Sequence, residues 1–152
     1  MQRLAPRLPW LGSLLLSTVL VTGCGGRDAH DVALDLEGTV ASSSVEHVLR
    51  DVDLQRSPVT ISVDRLDPQQ YTASDQEALE SALRETANEY SGARVHVTQE
   101  VVEDTGPNTQ QLTLTLQVEQ QSQTRFVPVV LDLLRDGRRM LITQVHVMGA
   151  SR

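Results

Sequence analysis

Apolar Val32, Leu34 and Leu36 alternate with polar Asp31, Asp35 and Glu37, the period-two pattern of a half-buried strand that Gly38 and the Ser42-Ser43-Ser44 run would end. After them Val45, Val48, Leu49 and Val52 fit a helical face, and Ser43 with Glu46 has capping-box spacing, so a short helix is expected. Val59, Ile61 and Val63 alternate again as a strand, which Asp67-Pro68 stops because proline has no N–H to give to a ladder. The strongest helical signal runs from Ser74 to Tyr90. Ser74 and Glu77 have capping-box spacing, Gly92 suits the left-handed position after the last turn, and Glu80 and Arg84 stand at i,i+4. Its apolar stripe is Ala78, Leu79, Ala82, Leu83, Thr86, Ala87 and Tyr90.

Four strands follow this helix. Ala93, Val95, Val97 and Val101 alternate with polar residues, and so do Leu112, Leu114, Leu116 and Val118 beyond a Gly106-Pro107-Asn108 turn. Thr124–Leu134 and Arg139–Met148 form the last pair, with Asp136-Gly137 as a tight hairpin signal. With those two residues as the loop, Val127, Val129, Leu131 and Leu133 share a face with His146, Gln144, Ile142 and Met140. Both faces of that hairpin are then substantially apolar, and the second needs a cover from a loop, the N-terminal segment, a ligand or another chain. The expected fold class is α+β: one long helix packed on a curved, mainly antiparallel sheet ending in a four-stranded meander. That layout is similar to cystatin-like and NTF2-like domains, a likeness of fold that carries no function with it.

The first residues have a different logic. Arg3 and Arg7 make a basic start, and Leu11–Val21 is mostly apolar, the layout of a secretory signal. Val21-Thr22-Gly23-Cys24 resembles the lipobox of bacterial lipoprotein precursors. The resemblance implies a diacylglyceryl group on the Cys24 sulfur, cleavage between Gly23 and Cys24, and acylation of the new amine. It divides the chain into a signal peptide (1–23), a lipidated tether (24–30) and one α+β domain (31–152). Two or more acyl chains give stable attachment where one would not. An uncleaved membrane helix is the alternative, since Leu8–Gly26 holds no charge, but Pro9, Gly12 and several serines and threonines dilute it. Gly25 after the cysteine, rather than aspartate, resembles the sorting pattern for the outer membrane of enteric bacteria, facing the periplasm.

Charge and composition narrow the partners. Arg3 and Arg7 leave with the signal, so 13 basic residues become 11 against 20 acidic ones, and the formal charge goes from −7 to −9. An acidic domain is a poor match for nucleic acid. After Trp10 departs, Tyr71, Tyr90 and Phe126 are the only aromatic faces, too few for stacking bases or sugars. Cys24 is the sole cysteine, so no disulfide framework exists.

Candidate chemistry is sparse. His30, His47, His96 and His146 lack the HxH or HExxH spacing of a metal site. Asp51-Val52-Asp53 opens like a calcium loop, but Arg56 stands where glycine is needed and Ser62 where a bidentate glutamate is needed. There is no Gly-x-Ser-x-Gly elbow, and the acidic pair Asp64 and Asp67 suits a solvated surface. No catalytic residue, metal or cofactor is expected, a site for hydrolysis hidden by the fold being the residual alternative. Arg135, Arg138 and Arg139 form the one local basic cluster, a candidate contact for an anion or a partner, or a solvated hairpin tip. The expectation is a non-enzymatic envelope lipoprotein, held in the membrane through acyl chains on Cys24, that binds an envelope protein as an assembly accessory. The alternative is a periplasmic carrier of a small apolar molecule or lipid.

Overall fold

The computed structural model describes residues 26–64 and 66–149. The signal and lipobox positions Val21, Thr22, Gly23 and Cys24 lie outside the described residues. The elements are α1 (Ala29–Ser42), α2 (Glu46–Leu49), β1 (Val59–Val63), β2 (Gln69–Tyr71), a 3-10 turn Ala73–Asp75 leading into α3 (Gln76–Glu89), β3 (Arg94–Gly106), β4 (Thr109–Gln120), β5 (Gln123–Asp136) and β6 (Arg139–Val147). Six strands make one sheet in the order β2-β1-β6-β5-β4-β3. All pairings are antiparallel except β1 with β6, where Ile61 lies beside Val145 and Val63 beside Val147.

The α+β class holds, and the details of the expectation change. There are two 14-residue helices rather than one long helix, and the sheet is mixed, with the β3–β6 meander supplying four of its six strands. The segment around Val32, expected as a strand, is α1. Its true stripe is Ala29, Val32, Ala33, Leu36 and Val40, all packed into the core, while Leu34 is half exposed on the far side. Asp28 caps it: the Asp31 N–H donates to Asp28 Oδ1 at 3.0 Å and the Asp28 N–H to Asp31 Oδ2 at 2.9 Å. Three apolar residues at i, i+2 and i+4 fit either period, and the cap with the two alanines decides for the helix. The stretch 24–30, expected as a tether, is therefore structural from Gly26 onward, within its described part.

The second long helix forms where the pattern puts it, with a different lead-in. Thr72 and Asp75 make the reciprocal cap at the 3-10 turn in place of Ser74 and Glu77. Glu80 and Arg84 pair at 3.6 Å, and Gly92 takes φ +77°. Leu79 and Ala87 are buried and Ala82, Leu83 and Tyr90 partly so, but Ala78 and Thr86 face solvent.

The last hairpin corrects the expected register. Asp136 pairs with Arg139, so the loop is Gly137-Arg138, with Gly137 at φ +60°. A bulge then leaves Thr143 without a partner on β5, its hydroxyl donating to the Asp132 carbonyl at 3.0 Å. The extra residue reverses the alternation: Ile142 before it and Val145 and Val147 after it all point to the helix-covered face, opposite Leu133, Leu131 and Val129. Gln144 and His146 go to the other face. The apparent second apolar face is thus largely a change of phase, leaving Phe126 at 40% exposure beside half-buried Pro128 and Val130.

Candidate functional site

The helices and sheet do not fill the space between them. A cavity of about 250 Å³ lies between α1, α3 and the covered face of the sheet. Leu36 and Val40 line it from α1, Ala82 and Leu83 from α3, and Val127, Val129, Leu131, Val145 and Val147 from the meander. Its polar members are Gln69, Tyr71, Thr86 and Tyr90, and Tyr71 donates to Gln69 Oε1 at 2.8 Å. Val63, Gln69 and Thr86 are the exposed members, so the opening lies between the end of β1, the start of β2 and the second half of α3. The bulge at Thr143 matters here: without the phase change, Gln144 and His146 would occupy the covered face in place of Val145 and Val147.

No carboxylate, imidazole, guanidinium or thiol is among the cavity's lining residues. The space offers apolar contact and a few neutral hydrogen-bonding groups, the phenols of Tyr71 and Tyr90 among them.

The ionisable chemistry sits at the other end of the molecule. Arg27 Nε donates to Asp51 Oδ1 at 2.9 Å and its Nη2 to Asp51 Oδ2 at 3.2 Å. The same Nη2 bonds the Asp35 carboxylate, which also accepts from Arg50 Nη2 at 2.6 Å. Asp51 is fully buried, and burial pushes its carboxyl up to about 6 against the opposing pull of Arg27. Its carbonyl accepts from the Ile142 N–H at 2.7 Å, so the group is held to the sheet by main chain as well. The residues that open like a calcium loop thus serve as anchors. Asp51 takes Arg27, and Asp53 takes Arg139 at 2.9 Å, an ion pair that holds the Asp53 carboxyl below its usual range.

Arg135, Arg138 and Arg139 come together at the β5–β6 turn, and all three are exposed. Arg139 is spoken for by Asp53, while Arg135 and Arg138 have no carboxylate within ion-pair distance among the described residues. The Arg138 carbonyl accepts from the Arg27 N–H at 2.9 Å, which brings the N-terminal segment to the same place.

The histidines remain apart. His30 Nδ1 meets Glu100 Oε2 at 2.8 Å, a contact that raises its pKa, and His96 lies 3.9 Å from Glu37. His47 contacts Arg50, and His146 Nδ1 lies 2.7 Å from Ser62 Oγ on the open face of the sheet. That serine–imidazole contact has no carboxylate bonded to the imidazole among the described residues, and Ser62 lines no cavity described above. Among the described residues no cluster of three His, Cys, Asp or Glu side chains could hold a metal ion, and no helix is long and apolar enough to cross a membrane. Sequence reasoning held an apolar cavity only as the alternative and missed which residues line it and the Arg27–Asp51 anchor; the change of apolar phase between Ile142 and Val145 was the available signal for the lining.

Neither family models nor curated proteins match this sequence. Solved structures do match the fold. A protein of unknown function with a cystatin-like fold from Nostoc punctiforme PCC 73102 is 10% identical, covering 78% of this chain and 86% of that one with a TM-score of 0.62. An NTF2-like protein of unknown function from Pseudomonas putida KT2440 is 11% identical over 82% and 89%, with a TM-score of 0.60. A "putative ketosteroid isomerase" from Shewanella frigidimarina NCIMB 400 is 14% identical over 76% and 90%, with a TM-score of 0.58. At these identities the likeness is one of fold: a cystatin-like or NTF2-like α+β domain.

Proposed function

We propose that this chain is a lipid-anchored protein of the bacterial cell envelope, without enzymatic activity, whose domain binds a small apolar molecule in the cavity between α1, α3 and the sheet. The observation that carries the reading is the lining: almost entirely aliphatic, with Gln69, Thr86 and Tyr90 at or near the opening. Of the two functions expected from sequence, this favours the carrier over the protein-binding accessory. At about 250 Å³ the space exceeds the ~150 Å³ that holds benzene and falls below the ~300–1,000 Å³ of drug-sized sites. It suits a single short acyl segment or a compact ring system with one polar end, and it is too small for a whole phospholipid. Proton abstraction next to a carbonyl, the chemistry of a ketosteroid isomerase, depends on a carboxylate base in the pocket, and this lining supplies none.

The test is retention of an apolar fluorescent probe by the purified full chain, against Leu83→Trp, which fills the space from α3. The wild type should bind the probe and release an apolar compound on organic extraction. Leu83→Trp should fold, by circular dichroism, and lose at least tenfold in probe affinity, ~1.4 kcal/mol. Equal binding by a folded Leu83→Trp, or an empty wild type that takes up no probe, would refute the cavity as the binding site.

A further inference from the structure

The domain begins against one end of its own sheet. The Arg27 N–H is fixed to the Arg138 carbonyl, a methyl group on Gly26 would lie 3.5 Å from the same oxygen, and the Arg27 side chain is gripped by Asp51. Three residue steps separate Arg27 from Cys24, and an extended chain spans at most ~3.3–3.6 Å per residue, or roughly 11 Å in all. Acyl chains on Cys24 therefore start within that reach of Arg27, which itself lies against the Arg138 carbonyl, whatever path the chain between them takes.

The same end carries Arg135 and Arg138, which have no ion-pair partner among the described residues. Of its acidic groups, Asp53 is paired with Arg139 and Asp136 lies 3.7 Å from Arg56, while Asp28, which caps α1, and Asp104, which accepts from Gln110 at 2.8 Å, keep their charge. An acidic domain would not seek an anionic surface by itself, but a leash of this length replaces the search and leaves the local charge to decide the contact. The cavity opens at the far end. Val63, at its mouth, pairs with Val147, eight residues along β6 from Arg139 and so about 25 Å away at ~3.3 Å per residue.

We infer that the β5–β6 turn rests on the phosphate layer of the bilayer that holds Cys24, with Arg135 and Arg138 donating to headgroup phosphates and the cavity opening turned away from that bilayer. The inference rests on the acylation of Cys24 proposed above and is independent of what the cavity binds. Guanidinium groups suit phosphate oxygens, and the surface potential they would feel extends ~8 Å at physiological salt, comparable to the leash. A ligand then enters from the aqueous side, exchanged with a donor or acceptor across the gap rather than drawn from the leaflet beneath.

The experiment uses the full acylated chain in vesicles of phosphatidylethanolamine and phosphatidylglycerol that carry a headgroup nitroxide. Cys24 is the only native cysteine, so once it is acylated an introduced thiol is the sole labelling site. A fluorophore goes on Asn108→Cys, in the turn whose carbonyl takes the Arg135 N–H, or on Ser91→Cys, just beyond α3. Strong quenching at position 108 with none at 91 is expected, and Arg135→Glu with Arg138→Glu should remove most of the quenching at 108. Equal quenching at both positions, or more at 91, overturns the orientation. Undiminished quenching in the charge-reversed variant overturns the phosphate contact. Intact mass separates these failures from the other kind: a chain found without acyl groups overturns the anchoring itself.

Discussion

Replacing Arg27 with alanine takes from Asp51, a carboxylate with no solvent exposure, the one side chain that neutralises it among the described residues. Two charge-assisted hydrogen bonds to Asp51 and one to Asp35 disappear, each of the class that contributes about 1.5–3 kcal/mol. Removing one partner of a buried pair typically costs about 3–5 kcal/mol. Arg27 is itself 31% exposed, so solvent already shares its charge, and about 3 kcal/mol is the expected loss at pH 8. Asp51 can escape the penalty by binding a proton. Its carboxyl stands at about 6 in the fold against an ordinary 3.8, so its favourable contribution is fully present below pH ~4 and is lost as pH rises through about 6. Without Arg27 the folded pKa rises further, and each added unit costs ~1.4 kcal/mol at pH 8 but little at pH 5, where the group is mostly protonated with or without the arginine. Urea unfolding at pH 5 and pH 8 reads this directly: the gap between Arg27→Ala and wild type should widen at pH 8. Asp51→Asn in the Arg27→Ala background should remove that widening. A loss below about 1 kcal/mol, or the same loss at both pH values, refutes the assignment of Arg27 as the counter-ion of a buried carboxylate.

Three further outcomes are expected. Leu131→Ala, at a fully buried position that also lines the cavity, should lose about 2–5 kcal/mol in denaturant unfolding and enlarge the space available to an apolar probe. Gly92→Ala meets no atom within 4 Å, so its cost is the left-handed backbone alone, about 1–2 kcal/mol by the same assay. Cys24→Ser should leave the chain unacylated and uncleaved between residues 23 and 24, read as intact mass and as loss from the membrane fraction; a mutant that matures to the same mass refutes the lipobox reading.

Much of the fold was legible wherever the period was unambiguous and the ends were marked. The helix before Gly92, the four strands that follow that helix and the turn at Gly106-Pro107-Asn108 between the first two of them follow from local stereochemistry, because amphipathic spacing, capping and turn residues act within a few positions of one another. Where two periods fitted, as at Val32, Leu34 and Leu36, the choice passed to what those side chains could be buried against. Asp28 and Asp31 at capping spacing were the local hint that a helix starts there.

The candidate site depended on pairings distant along the chain. Arg27 meets Asp51 across 24 residues and Arg138 across more than a hundred, and no local pattern singles out one arginine as a counter-ion. The cavity needs both helices on one face and a single bulged residue, Thr143, to turn Val145 and Val147 toward them. Local rules set which segments are helix or strand, because the competing conformations differ within a few residues. Tertiary packing set the register, the hollow and the charge anchor, because each is a balance of burial and pairing among segments that chain order keeps apart.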